Sequence, residues 1–177
     1  MKYRWDYCSP LGKITMASSE TALIGVWFEG QKYFGSTLAK ESKEVASPIL
    51  IKTKEWLDQY FEGECPNWRP RLEWYASPFQ EEVWNILLKI PYGMTRTYGE
   101  VAKEIAKKRG VSSISPQAVG AAVGHNPISI IVPCHRVVGK NGSLTGYAGG
   151  LDKKIALLNI EKVDGNAFFV PHRGSAL

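Results

Sequence analysis

Residues 128–138 read ISIIVPCHRVV, and the rest of the chain is best read outward from them. Ile128, Ile130, Ile131 and Val132 make a β-branched run about as long as one buried strand. Pro133, with no N–H to donate, halts it. The pattern predicts a strand that ends by presenting Cys134. Cys134, His135 and Arg136 then place a thiol nucleophile, a base and a fixed cation in three consecutive positions. An unperturbed thiol has a pKa near ~8.5, so at neutral pH it needs a base or a positive field to become the reactive thiolate. His135 is the natural base. If the chain stays extended past Pro133, neighbouring side chains face opposite ways, so a water between Cys134 and His135 is the expected bridge. Glu161, near the end of the last predicted helix, is a candidate to orient the imidazole.

The 177 residues carry a net charge of +5 and 44% hydrophobic residues, enough for one good-sized or two small globular domains. The charge is not spread evenly. Residues 91–140 hold seven basic side chains (Arg96, Lys103, Lys107, Lys108, Arg109, Arg136, Lys140) against Glu100 and Glu104, and the rest, with fifteen of each sign, is neutral. Such a segment suits a polyanionic partner, although a solvated helix face explains the charge alone equally simply. The N-terminal stretch MKYRWDYCSP lacks the apolar core of a secretory signal and no membrane span is visible, so a soluble cytoplasmic protein is expected. Three widely spaced cysteines without a CxxC or a paired His-x-x-x-His argue against a disulfide framework and a zinc finger. Cys8 and Cys65, with no acid or base around them, read as packed small hydrophobes.

Residues 2–8, 13–18 and 21–28 predict a small antiparallel meander. Pro48 behind Ser47 opens a helix that runs to Gly63. The stretch Cys65-Pro66-Asn67-Trp68-Arg69-Pro70-Arg71 breaks every periodicity, and a boundary there divides the chain into domains 1–70 and 71–177. Beyond it, Ser77-Pro78-Phe79-Gln80 and Thr97-Tyr98-Gly99-Glu100 are capping boxes, and Ser115-Pro116 starts a short helix of mostly small residues, Gln117 to Val123. Two short helices in a basic segment predict a helix-turn-helix. The expected fold is therefore α+β: an N-terminal antiparallel sheet plus helix, then a mostly helical C-terminal domain of winged-helix-like character. Five glycines between Gly139 and Gly150 make a loop that approaches a ligand closely, without the spacing of a phosphate-binding loop. A last helix spans Asp152 to Glu161, and the tail from Phe168 shows no period and is expected to be partly mobile.

Pro133-Cys134-His135-Arg136-Val137, preceded by Gly124-His125-Asn126-Pro127 and followed by Gly146-Tyr147-Ala148-Gly149-Gly150, resembles the active-site region of the O6-alkylguanine-DNA alkyltransferases, strongly over about residues 77–161. The resemblance implies direct-reversal repair of double-stranded DNA. The damaged guanine (or an O4-methylthymine) is flipped out, its alkyl group passes irreversibly to Cys134, and each molecule acts once, as a monomer, with no cofactor; some relatives carry a zinc in the N-terminal half, but the cysteine and histidine positions needed are missing here, so no metal is expected. It further implies that His135 is the base acting through water, Glu161 its orienting carboxylate, Asn126 a brace of the active-site turn, and Tyr98 a phenolic donor toward the flipped guanine. Val123, Val137, Tyr147, Ala148 and Gly149 would line the base pocket. Tyr98, Gln117, Ala118, Gly120, Ala121, Ala122 and Arg136 would meet DNA, with the small-residue helix in the minor groove. Gln117 departs from the arginine that the family usually carries there, and the 110–115 loop looks longer. Two rivals predict otherwise: a helix-turn-helix regulator binds undamaged DNA without transfer, and a cysteine hydrolase turns over.

Overall fold

The computed structural model describes residues 1–171; most of the tail whose mobility was expected, residues 172–177, lies outside them. The chain forms two compact units, one of residues 1–75 with 127–131 and one of 76–126 with the chain from Val132 onward. Among the described residues no helix is long and apolar enough to cross a membrane.

In the first unit β1 (Tyr3–Ser9), β2 (Gly12–Ser18) and β3 (Leu23–Phe28) form the expected meander. A two-residue β4 (Lys43–Glu44) adds in parallel to β1, giving the order β3-β2-β1-β4. Helix α1 (Pro48–Phe61) is capped by Ser47 and packs on the sheet, with Tyr7 donating to Asp58 at 2.8 Å. Every residue of β3 is buried, because a cluster of Ala17, Ile24 and Trp27 closed by Leu38 forms a second small core. Residues 71–73 continue this unit: Leu23 N donates to the Arg71 carbonyl at 2.7 Å and Glu73 N to the Leu23 carbonyl at 3.0 Å. Cys8 and Cys65 are exposed, contrary to the expected packing. Alternation along β1 buries Tyr7 and so turns Cys8 out, and Cys65 lies in the proline-broken loop.

The second unit holds α2 (Pro78–Leu87), β5 (Arg96–Thr97), α3 (Tyr98–Arg109), α4 (Pro116–Gly124), β6 (Val137–Val138) and α5 (Leu151–Ile160). Both predicted capping boxes form, at Ser77 with Gln80 and at Thr97 with Glu100, and Ser115 caps α4. Gly110 ends α3 at φ +65°, a left-handed conformation suited to glycine. Helices α2, α3 and α4 pack together, and Trp84 Nε1 reaches from α2 to the Ala122 carbonyl at 2.8 Å. Strand β5 pairs in parallel with β6, Arg96 opposite Val137. A core of Val138, Leu144 and Leu158 closes under α5.

The predicted strand over 128–132 does not form. The segment makes one parallel bridge to β3 at Val26–Ile128, with Val26 N donating to the Pro127 carbonyl (2.8 Å) and Ser129 N to the Val26 carbonyl (2.9 Å). It then turns at Ile130, whose φ is +71°. The cause is Asn126, whose side chain donates to the Val132 carbonyl at 2.9 Å. An extended run of six residues would separate those ends by roughly 20 Å, so the bond requires a turn.

Candidate active site

Cys134 is delivered by that turn and not by a strand end. Cys134 N donates to the Val132 carbonyl at 2.8 Å, and Cys134–Arg136 form one 3₁₀ turn that leads directly into β6. The thiol is 4% exposed. Burial pushes its pKa up, while the Asn126 amide, the charge of Lys154 and the Tyr147 side chain pull the other way. Asn126 thus serves twice, holding the turn and favouring the charged sulfur.

Successive residues of a 3₁₀ turn point about 120° apart, so His135 heads away from the thiol's side and into the interior, where it is fully buried. Its Nε2 bonds Glu161 Oε2. The other Glu161 oxygen accepts from Arg136 Nε at 2.7 Å and from the Gly93 N–H at 3.0 Å. Burial would raise the Glu161 carboxyl, but the His135 hydrogen bond and charge, the Arg136 guanidinium and the Gly93 N–H hold it at about 2. Burial lowers the His135 pKa against the pull of Glu161. At neutral pH the pair is therefore a carboxylate and a neutral imidazole. With Nε2–H donated to Glu161, the lone pair is on Nδ1, which leaves a base oriented by a carboxylate.

The Glu161 shift carries a stability consequence. Its folded pKa is depressed from the ordinary 4.5 to about 2, so the stabilisation is fully present above pH 4.5 and is lost as pH falls through 2. It amounts to roughly 3 kcal/mol. Urea midpoints measured across that window are expected to fall with acidity in the native protein, and less steeply in Glu161→Gln.

Tyr98 opens α3 and is 6% exposed. Burial and the nearby Cys134 charge raise its pKa to about 12, with the Thr145 hydroxyl pulling the other way, so it remains a phenolic donor at neutral pH. Val123 and Val137 are buried, and Tyr147, Ala148 and Gly149 are half-buried. On α4 the expected DNA contacts divide by face. Gln117, Ala118 and Ala121 are exposed, whereas Gly120 and Ala122 are buried and let α4 pack closely against its neighbours.

Arg136 departs from its sequence assignment. It is largely buried, bonded to Glu161 and, through Nη1, to the Ile90 carbonyl at 2.7 Å, and it lies 5.7 Å from the centre of the Tyr92 ring. It braces the carboxylate and is not offered to DNA. Much of the basic segment is also internally matched: Arg96 and Lys108 pair with Glu104, and Arg109 with Glu82.

Sequence reasoning missed Lys154, which is 0% exposed and donates to the carbonyls of Val137 (2.6 Å) and Gly146 (3.0 Å). A signal existed, since Lys154 falls on the apolar stripe Leu151, Ile155, Leu158 at helical spacing. It also missed the Gly93 N–H and the Ile90 carbonyl, which are backbone groups and leave no mark in a sequence.

Comparison with known proteins follows both units. Residues 2–69 match the family described as 6-O-methylguanine DNA methyltransferase, ribonuclease-like domain, and residues 78–163 match the 6-O-methylguanine DNA methyltransferase, DNA binding domain. The inducible methylated-DNA–protein-cysteine methyltransferase of Bacillus subtilis is 40% identical over 171 residues, covering 95% of this chain and 90% of that protein. The crystal structure of Mycobacterium tuberculosis O6-methylguanine methyltransferase superposes with a TM-score of 0.77 at 40% identity, over 92% of this chain and 93% of that one. A structure of the M. tuberculosis protein in complex with DNA gives the same TM-score at 36% identity, over 93% and 96%. Sequence matches across both units and a shared fold at this identity have one explanation: the chain belongs to the 6-O-methylguanine DNA methyltransferase family.

Proposed function

We infer that this protein repairs O6-alkylguanine in double-stranded DNA by moving the alkyl group to its own Cys134, once per molecule and without a cofactor. The observation that carries the reading is a buried thiol, delivered by a turn that Asn126 holds and next in the chain to a neutral His135 that Glu161 orients. The thiol proton leaves through a water to His135. The thiolate attacks the alkyl carbon, the carbon–sulfur bond forms as the carbon–O6 bond breaks, and the electron pair passes to the guanine, which takes up a proton. Tyr98 donates its phenolic hydrogen bond toward the ring, stabilising the charge that develops there. A carbon–sulfur thioether does not hydrolyse, so the protein is spent. O4-methylthymine, which presents the same alkyl–oxygen bond, is a second substrate.

The target base must leave the stack to meet a buried thiol. The exposed face of α4, with Gln117, Ala118 and Ala121, is shaped for close approach in the minor groove, and Lys103 and Lys107 on α3 carry no ion pair among the described residues. The protein acts as a monomer in the cytoplasm, a compartment that suits three free cysteines. The test is a titration with duplex bearing labelled O6-methylguanine. Label should transfer to protein and stop at one equivalent. Continued turnover would instead indicate a hydrolase, and binding of undamaged DNA without transfer a regulator.

Gln117 bears on how the base is extruded. Its Oε1 accepts from the Ser115 hydroxyl at 3.0 Å, so the side chain is held at the start of α4. An amide can bond the orphaned cytosine but brings no charge toward phosphate. Gln117→Arg is expected to speed transfer from duplex by up to about tenfold, equivalent to ~1.4 kcal/mol. A single-turnover rate that stays the same or falls counts against this role.

A further inference from the structure

The reaction as described makes no use of Lys154. An ammonium taken fully out of water is costly unless opposite charge meets it, and a methionine or leucine would fill the same stripe of α5 without that cost. Its two hydrogen-bond acceptors, the carbonyls of Val137 and Gly146, are neutral. They belong to the strand that follows the Cys-His-Arg turn and to the start of the Gly146–Gly150 loop. No carboxylate pairs with Lys154 among the described residues, and Glu161 is already matched by Arg136 and His135. The titratable groups whose fields meet Lys154 and Cys134 are few: the two act on each other, His135 from the same 3₁₀ turn feels Lys154, and Tyr147 from the loop and Tyr98 from α3 face the thiol.

We propose that Lys154 is a positioning residue for alkyl transfer, its ammonium clamping β6 to the Gly146–Gly150 loop and supplying the buried positive charge that favours the Cys134 thiolate. The assignment rests on Cys134 being the alkyl acceptor, and it adds that α5 both closes the base pocket and charges the nucleophile. Burial lowers the Lys154 pKa to about 8, and the charge of an ionised Cys134 opposes that fall. The clamp ties the glycine-rich loop to β6, since Gly146 and Val137 are held through a single donor group.

The test needs no DNA. In a Cys8→Ser, Cys65→Ser background, the rate of iodoacetamide modification of Cys134 is followed from about pH 6 to 10 in the intact protein. Lys154→Met should move the Cys134 profile to higher pH and slow the reaction at neutral pH by at least about tenfold. Lys154→Gln, which keeps a hydrogen-bond donor but no charge, should shift it in the same direction, and melting curves establish that each variant is folded. A purely structural role for Lys154 would leave the profile in place, so an unshifted profile in either folded variant overturns the proposal. Methyl transfer from O6-methylguanine duplex is measured in parallel. A shifted thiol profile with no transfer in the unsubstituted protein would sink the repair reading, and with it the alkyl-transfer role of Lys154, while its charge effect on the Cys134 thiol would stand.

Discussion

Cys134→Ala is expected to abolish alkyl transfer, by on the order of 10⁴-fold or more, while leaving the fold and DNA binding in place. The chemistry has no second candidate. Cys8 and Cys65 are exposed and belong to the first unit, away in sequence from every group that acts on the Cys134 thiol. The turn itself is held by Asn126 through the Val132 carbonyl and survives. The proposed duplex contacts, the exposed face of α4 and the surface lysines, are not touched by the substitution. Single-turnover transfer and a gel-shift titration on the same variant separate the two properties. Residual transfer above about 1% of the native rate would mean that another group accepts the alkyl.

Glu161→Gln is expected to reduce transfer by about 10²- to 10³-fold and to lower stability by roughly 3 kcal/mol. Both effects come from one carboxylate that closes α5 and meets His135, Arg136 and the Gly93 N–H. An amide can still accept from Arg136 and Gly93. It cannot balance the buried guanidinium, and it holds the imidazole less firmly with Nε2 protonated and Nδ1 free to take a proton. The two effects are separable, since transfer measured in the cold, where the variant is fully folded, reports the imidazole alone. Activity within about threefold of native under those conditions would remove His135–Glu161 from the proton path.

What the chain reveals without a structure divides along physical lines. The helices of the second unit were legible because their ends are set by local chemistry, the capping boxes at Ser77 and Thr97 and the proline after Ser115. The meander was legible from alternation and turn residues. The 128–132 segment was not, since a short β-branched run is compatible with a strand and only the long-range Asn126–Val132 bond forces the turn. Arg136 was misplaced for a related reason: a cation in a basic segment reads as surface charge until its partner, 25 residues away in sequence, is seen beside it. Cys134, His135 and Glu161 are legible from the motif; all three are buried, and His135 bonds Glu161. Lys154 is hard to read from sequence because lysines are almost always exposed, and only its place on an apolar stripe of α5 argues otherwise.

The most direct measurement is mass spectrometry of the peptide containing Cys134 after one equivalent of O6-methylguanine duplex has been repaired. The peptide should be heavier by one methyl group in stoichiometric yield, with Cys8 and Cys65 unmodified and the guanine restored. Loss of the lesion with the Cys134 peptide unchanged would contradict the account at its centre.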